Sequence, residues 1–298
     1  MRHHYVPQFL LRRWCNDAGR LQSFKVLDGK VLCTAQSPKH TGYENALYAI
    51  VANALRIDED HLERKFFSPL DSNAAVALDK IEQHQAITPD DRTAWAFFLN
   101  SLRMRQPDVL AHLQTEGMTM LRQILAEGDA ALPAGWPPTA QWMEEQHPGM
   151  MEARGLIAWL TQMVLHDELT KRFEELDWWF VEFEPDIPKL LLSDLPIHWE
   201  GKFVTDQFFI QLPIAPNRVF FGTASEQTEA HLLALPREEL ARRINRSSLA
   251  SSAHRIWGAD TEEGRATIEA NIDALGANLE PFDVIAGRYG SKLANAGA

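Results

Sequence analysis

Apolar side chains recur at helical spacing from about residue 57 to 175, and then the period changes. Trp178 to Phe183, Leu190 to Leu192, Gln207 to Leu212 and Arg218 to Gly222 are short aromatic or β-branched runs bounded by Pro, Asp, Asn and Gly. Two periods in separate blocks specify a mainly helical α+β protein with a small mixed or antiparallel sheet. The sheet is expected to draw on these runs, at about 178–222, and on an N-terminal hairpin in which Leu21 to Val26 and Lys30 to Thr34 flank Asp28-Gly29.

Thr88-Pro89-Asp90-Asp91 opens the best-signalled helix, because Trp95, Phe98, Leu99 and Leu102 behind it fall at i, i+3, i+4 and i+7. Arg105 projects from the same stripe. A buried guanidinium needs a carboxylate, for which Glu63 is the first choice and Asp194 the second. Ser68-Pro69-Leu70-Asp71 reads as another helix start, with Ser68 as cap, Asp71 completing the capping box and Pro69 splitting the segment in two. Residues 128–149 are a Gly/Pro/Trp-rich connection, and helices are expected at about 236–248 and 261–275. The expected organisation is one domain over 1–298 with two lobes. One is helical, from 57–127 with 150–175; the other contains the sheet, from 1–50 with 176–290.

The formal net charge of −12 argues against a protein that coats nucleic acid, which needs a concentrated basic surface. No run approaches the roughly 18 apolar residues of a membrane span, and the N-terminus lacks the apolar core of a signal peptide. The chain is therefore read as unprocessed and cytoplasmic, with no membrane partner. The two cysteines, Cys15 and Cys33, are too few for a disulfide framework and are expected as thiols.

Chemistry-bearing residues concentrate in the opening Arg2-His3-His4-Tyr5-Val6-Pro7-Gln8-Phe9-Leu10-Leu11-Arg12-Arg13. Neutral imidazoles bind transition metals, and a histidine near neutral pKa serves as a general base. Adjacent residues of an extended segment point to opposite sides, so His3 and His4 share one ion only if the backbone turns. Asp194 follows Leu190-Leu191-Leu192, where a strand end can fix a carboxylate for metal or base work, or where an aspartate can satisfy its own turn. His166-Asp167-Glu168 reads as a solvated helix face. There is no Gly-rich phosphate loop, Gly-x-Ser-x-Gly elbow or His-Glu-x-x-His pair.

The opening block resembles the bacterial family known as domain of unknown function 4238. The likeness continues through Glu44-Asn45-Ala46-Leu47-Tyr48, Leu62-Glu63 with Leu70-Asp71, Arg105-Gln106-Pro107, Leu192-Ser193-Asp194-Leu195-Pro196 and Gln211-Leu212-Pro213-Ile214-Ala215-Pro216. It implies candidate positions rather than a reaction: His3, His4, Gln8, Arg12, Asn45, Glu63, Arg105 and Asp194 would form one pocket. Relatives commonly carry a carboxylate at the position of Asp71 and a Ser or Thr where this chain has Ala215. The start is also similar to the His-His-Ile-Ile-Pro opening of histidine-metal nucleases, without the asparagine-and-histidine remainder.

Imidazoles, carboxylates and arginines are the parts that activate water, hold a metal and neutralise phosphate. The first expectation is a metal-dependent phosphodiester hydrolase acting on nucleic acid or a nucleotide. His4, Glu63 and Asp194 would be catalytic, with His3, His4 and Asp194 holding a divalent metal. Gln8, Arg12, Asn45 and Arg105 would bind substrate. The rival is a non-enzymatic binding or regulatory protein with a protein partner, in a bacterial defence or conflict system, whose polar set is a structural network.

Overall fold

A computed structural model of the protein describes residues 1–279. The chain opens with strand β1 (Arg2–His4), the short helix α1 (Gln8–Leu11) and the hairpin of β2 (Leu21–Leu27) and β3 (Lys30–Gln36). Its turn holds Asp28 and Gly29 at φ of 49° and 72°, the positive values whose twist suits a two-residue hairpin. β4 (Tyr43–Asn45) then returns antiparallel to β1, so the first residues are tied into a sheet.

The helical block runs through α2 (Ser68–Glu82), α3 (Pro89–Met104), α4 (Pro107–His112), α5 (Met118–Asp129), α6 (Thr139–Gln146), α7 (Met150–Val164) and α8 (Asp167–Glu175). The capping box at Thr88 and Asp91 forms, and Trp95, Phe98, Leu99 and Leu102 are fully buried.

Two expectations change. Pro69 does not split a helix in two, because a π-helical turn over Glu63–Phe67 runs directly into α2. There the Ser68 N–H bonds to the Glu63 carbonyl five residues back. A widened turn just ahead of a proline relieves the clash of its ring with the carbonyl four residues earlier. Ser68 consequently makes no cap, and Asp71 is released from the role of capping acid. The 128–149 connection also contains a helix, α6.

The later strands are β5 (Asp177–Glu182), β6 (Leu192–Ser193), β7 (His198–Glu200), β8 (Phe209–Ala215) and β9 (Arg218–Thr223). Helices α9 (Glu226–Leu233) and α10 (Arg237–Ala250), strand β10 (Ile256–Gly258) and α11 (Thr261–Ala270) follow. The fold is mainly helical α+β, as expected, and its strand pairings are antiparallel.

The strands divide over more than one sheet. β5, β9, β8 and β7 form one in that order; the hairpin forms another, β3-β2-β10-β6, taking only Leu192–Ser193 from the 178–222 region. β10 supplies its third strand from far down the chain. The largest apolar cluster joins Val6, Leu10, Leu11 and Trp14 to α3, α7, β8 and Trp257. Residues 280–290 of the expected sheet lobe lie outside the described residues. Among those described, no helix is long and apolar enough to cross a membrane.

Candidate functional site

Two polar constellations separate the residues that the sequence grouped. The first lies where β1 and β4 meet the π-helical turn. His3 is fully buried: its Nδ1 accepts the Tyr48 N–H at 3.1 Å, and its ring stacks on the Tyr48 ring with centroids 4.2 Å apart. Tyr48 donates its phenol to Glu63, which also accepts from the Ser68 hydroxyl at 3.4 Å. Burial pushes the Glu63 carboxyl up and the Tyr48 phenol well up. Beside them Arg105, fully buried, donates to both carboxylate oxygens of Asp71 at 2.7 and 3.1 Å and to the Ser101 hydroxyl, over the Phe67 ring.

The inward arginine is therefore paired, as its helix face required, but with Asp71 in place of Glu63 or Asp194. The π-turn explains the exchange, since it leaves Asp71 without a capping duty and engages Glu63 with Tyr48.

His4 does not join His3. It projects from the other side of β1, where its Nε2 bonds to the Pro38 carbonyl at 3.2 Å and the ring stays within electrostatic reach of Asp71 and Arg105. Burial lowers the pKa of both imidazoles, so the fold favours the neutral form of each. The unfolded chain takes up protons from about pH 6.5 downward while the folded chain resists, so stability should fall as pH drops through that value toward the depressed folded values. In urea melts, the midpoint should fall between about pH 7.5 and 5.5, and fall less in His3→Asn, whose Oδ1 replaces the Nδ1 acceptor without titrating. An unchanged pH slope in that variant would show that His3 is not a source of it.

Asp194 belongs elsewhere. It is 2% exposed, and its oxygens accept the N–H groups of Ala253 (2.9 Å), His254 (2.6 Å) and Arg255 (3.0 Å). Burial raises its pKa against the pull of those three donors. It satisfies backbone, as the turn reading allowed, but the backbone lies about sixty residues further on. The structure does not group the expected metal set of His3, His4 and Asp194. Asp194 is occupied by amide donors and each histidine makes a separate bond, and among the described residues no three His, Cys, Asp or Glu side chains are grouped to hold an ion. The expected substrate groups differ in exposure: Arg105 is buried, Gln8 half-buried, and Arg12 and Asn45 are exposed.

The turn that Asp194 pins forms one wall of a cleft of about 830 Å³. The α3–α4 junction also lines it, with Arg103, Gln106 and Val109, as does β7, with His198, Trp199 and Glu200. The Arg103 guanidinium covers the Trp199 ring at 3.6 Å. His198 contacts the Ser251 hydroxyl through Nδ1 at 3.3 Å and the Glu200 carboxylate through Nε2 at 3.6 Å. That imidazole holds the Glu200 carboxyl below the usual carboxylate range.

Sequence reasoning missed these three residues. His198 and Glu200 did carry a signal, since residues two apart on a strand share a face. Ser251 carried none.

A family model described as "Protein of unknown function (DUF4238)" matches residues 2–262, and the chain belongs to that family. No curated protein and no solved structure matches the chain.

Proposed function

We propose that this member of the family binds a small molecule in the cleft between the α3–α4 junction, β7 and the turn pinned by Asp194. The cleft itself carries the reading. A volume of about 830 Å³ lies in the range of small-molecule sites, and apolar Val109, Leu195 and Ile197 share its lining with polar Gln106, His198 and His254. Such a mixture suits a ligand with an apolar body and a few polar atoms. The polar network around Arg105 fits a structural role, because Arg105 is paired with Asp71 and Tyr48 with Glu63. A metal-dependent phosphodiesterase centred on His4, Glu63 and Asp194 has no comparable support, since Glu63 and Asp194 lie in different constellations and His4 bonds a backbone carbonyl.

The probe that tests this is the fluorescent anion 1-anilinonaphthalene-8-sulfonate. The native protein should give saturable fluorescence, and Asp108→Trp, which fills the exposed mouth of the cleft, should abolish it with little change in melting temperature. Absence of saturable binding, or binding that the tryptophan leaves intact, would remove the reading.

A further inference from the structure

We propose that Ser251 is a nucleophile in this cleft, with His198 as its general base and Glu200 as the positioning acid, and that the substrate is a carboxylic ester. The inference rests on the cleft being the ligand site and adds a reaction to it. Three serines at the C-terminal end of α10 show why Ser251 stands apart. Ser248 gives its hydroxyl to the Leu191 carbonyl and Ser252 to the Arg255 carbonyl, the usual fate of a serine near a helix end. Ser251 donates its N–H to the Ser247 carbonyl, and its hydroxyl meets an imidazole.

The partner is presented from a strand. His198 pairs with Gln211 in β7, and Glu200, two residues on, pairs with Phe209, so both side chains leave the same face of the strand. The ring has one consistent assignment in the neutral state: Nδ1 accepts from Ser251, and the Nε2 proton points at the Glu200 carboxylate. This is the relation of nucleophile, base and orienting acid that activates hydroxyls, with the two ring nitrogens exchanged. The separations of 3.3 and 3.6 Å are those of a loose array without substrate. The Ser251 side chain lies at the cleft wall at 7% residue exposure, and the cleft has room for an acyl chain.

The step balances with water as the only co-reactant. Ser251 Oγ attacks the ester carbonyl carbon while its proton passes to His198 Nδ1. Collapse of the tetrahedral intermediate breaks the bond to the alkoxy oxygen, which leaves as alcohol with that proton. Water, deprotonated by Nδ1, then cleaves the acyl-serine to the carboxylic acid and restores Ser251. The Ala253, His254 and Arg255 amides are committed to Asp194 and cannot hold the oxyanion. A neutral donor on the same wall is the amide of Asn278, whose backbone N–H bonds to the Ala250 carbonyl beside Ser251.

The test uses the full chain with p-nitrophenyl butyrate and a fluorophosphonate probe. Peptide mapping of the labelled wild-type protein should place the phosphonate on Ser251, a result that needs no variant to fold. Ser251→Ala should abolish hydrolysis, and His198→Ala should lower kcat/KM by about 100-fold or more. Glu200→Gln should lower kcat about 10-fold with little change in KM, the split expected when a base is misoriented while the binding cleft is intact. If 1-anilinonaphthalene-8-sulfonate binds in the cleft while Ser251 stays unlabelled, or if labelling ignores His198→Ala, the nucleophile is refuted and the binding cleft stands. If the dye also fails to bind, both fall.

Discussion

Asp71→Ala should destabilise the protein by about 3–5 kcal/mol, more than removal of its partner Arg105. The difference comes from water. The Arg105 side chain has 0% exposure and that of Asp71 23%, so loss of the carboxylate strands a guanidinium that solvent cannot reach. Loss of the guanidinium leaves a carboxylate that can rehydrate. Arg105→Met, which keeps most of the volume beside Phe67 and Phe98, should cost about 1–2 kcal/mol, with Arg105→Ala between the two because it also leaves a cavity. Glu63 is no ready substitute for Asp71, since turning toward Arg105 would strand the buried Tyr48 phenol. Urea midpoints of the three variants give the order, and an Arg105→Met protein weaker than Asp71→Ala would contradict it.

The second large effect concerns the opening segment. Deleting residues 1–14 should leave no cooperatively folded protein. Val6, Leu10, Leu11 and Trp14 are each fully buried in the largest apolar cluster. At about 1.5–3 kcal/mol for each buried side chain, their loss is on the order of 6–12 kcal/mol, comparable with the whole stability of a domain. The polar ties point the same way. The Trp14 indole donates to the Leu190 carbonyl at 2.9 Å, and Arg13 bonds both the Ile214 carbonyl and Glu82. Trp14→Ala alone should cost about 3–5 kcal/mol. A truncated protein that melts with an unchanged midpoint would show that the segment is an ornament on a core complete without it.

What the sequence could and could not reveal follows from the range of each signal. The α3 stripe, its capping box and the Asp-Gly hairpin are local patterns, and each appears where its spacing put it. Arg105 was legible as a paired arginine because its position on the stripe is local, but its partner was not. Asp71 sat inside a convincing cap signature, and only the π-turn, a compromise between Pro69 and the continuing helix, overrode it. The candidate site was less legible still. His198 and Glu200 are two residues apart, yet Ser251 comes 53 residues after His198 and reaches it only through the packing of α10 against the sheets. The histidines that stood out, His3 and His4, are adjacent on a strand and so were bound to face apart.

The strand order of the hairpin sheet sets a timetable for synthesis. β10 lies between β2 and β6, and the Trp257 indole donates to Thr41, 216 residues earlier. A ribosome adding about 5–20 residues per second needs roughly 12–50 s to pass from residue 14 to residue 257. Throughout that interval Val6, Leu10, Leu11 and Trp14 have no finished core to enter, and β2 presents an unpaired edge on the side that β10 will fill. Such edges recruit other chains, so the yield of this protein should depend on elongation rate and on chaperone supply more than its final stability suggests.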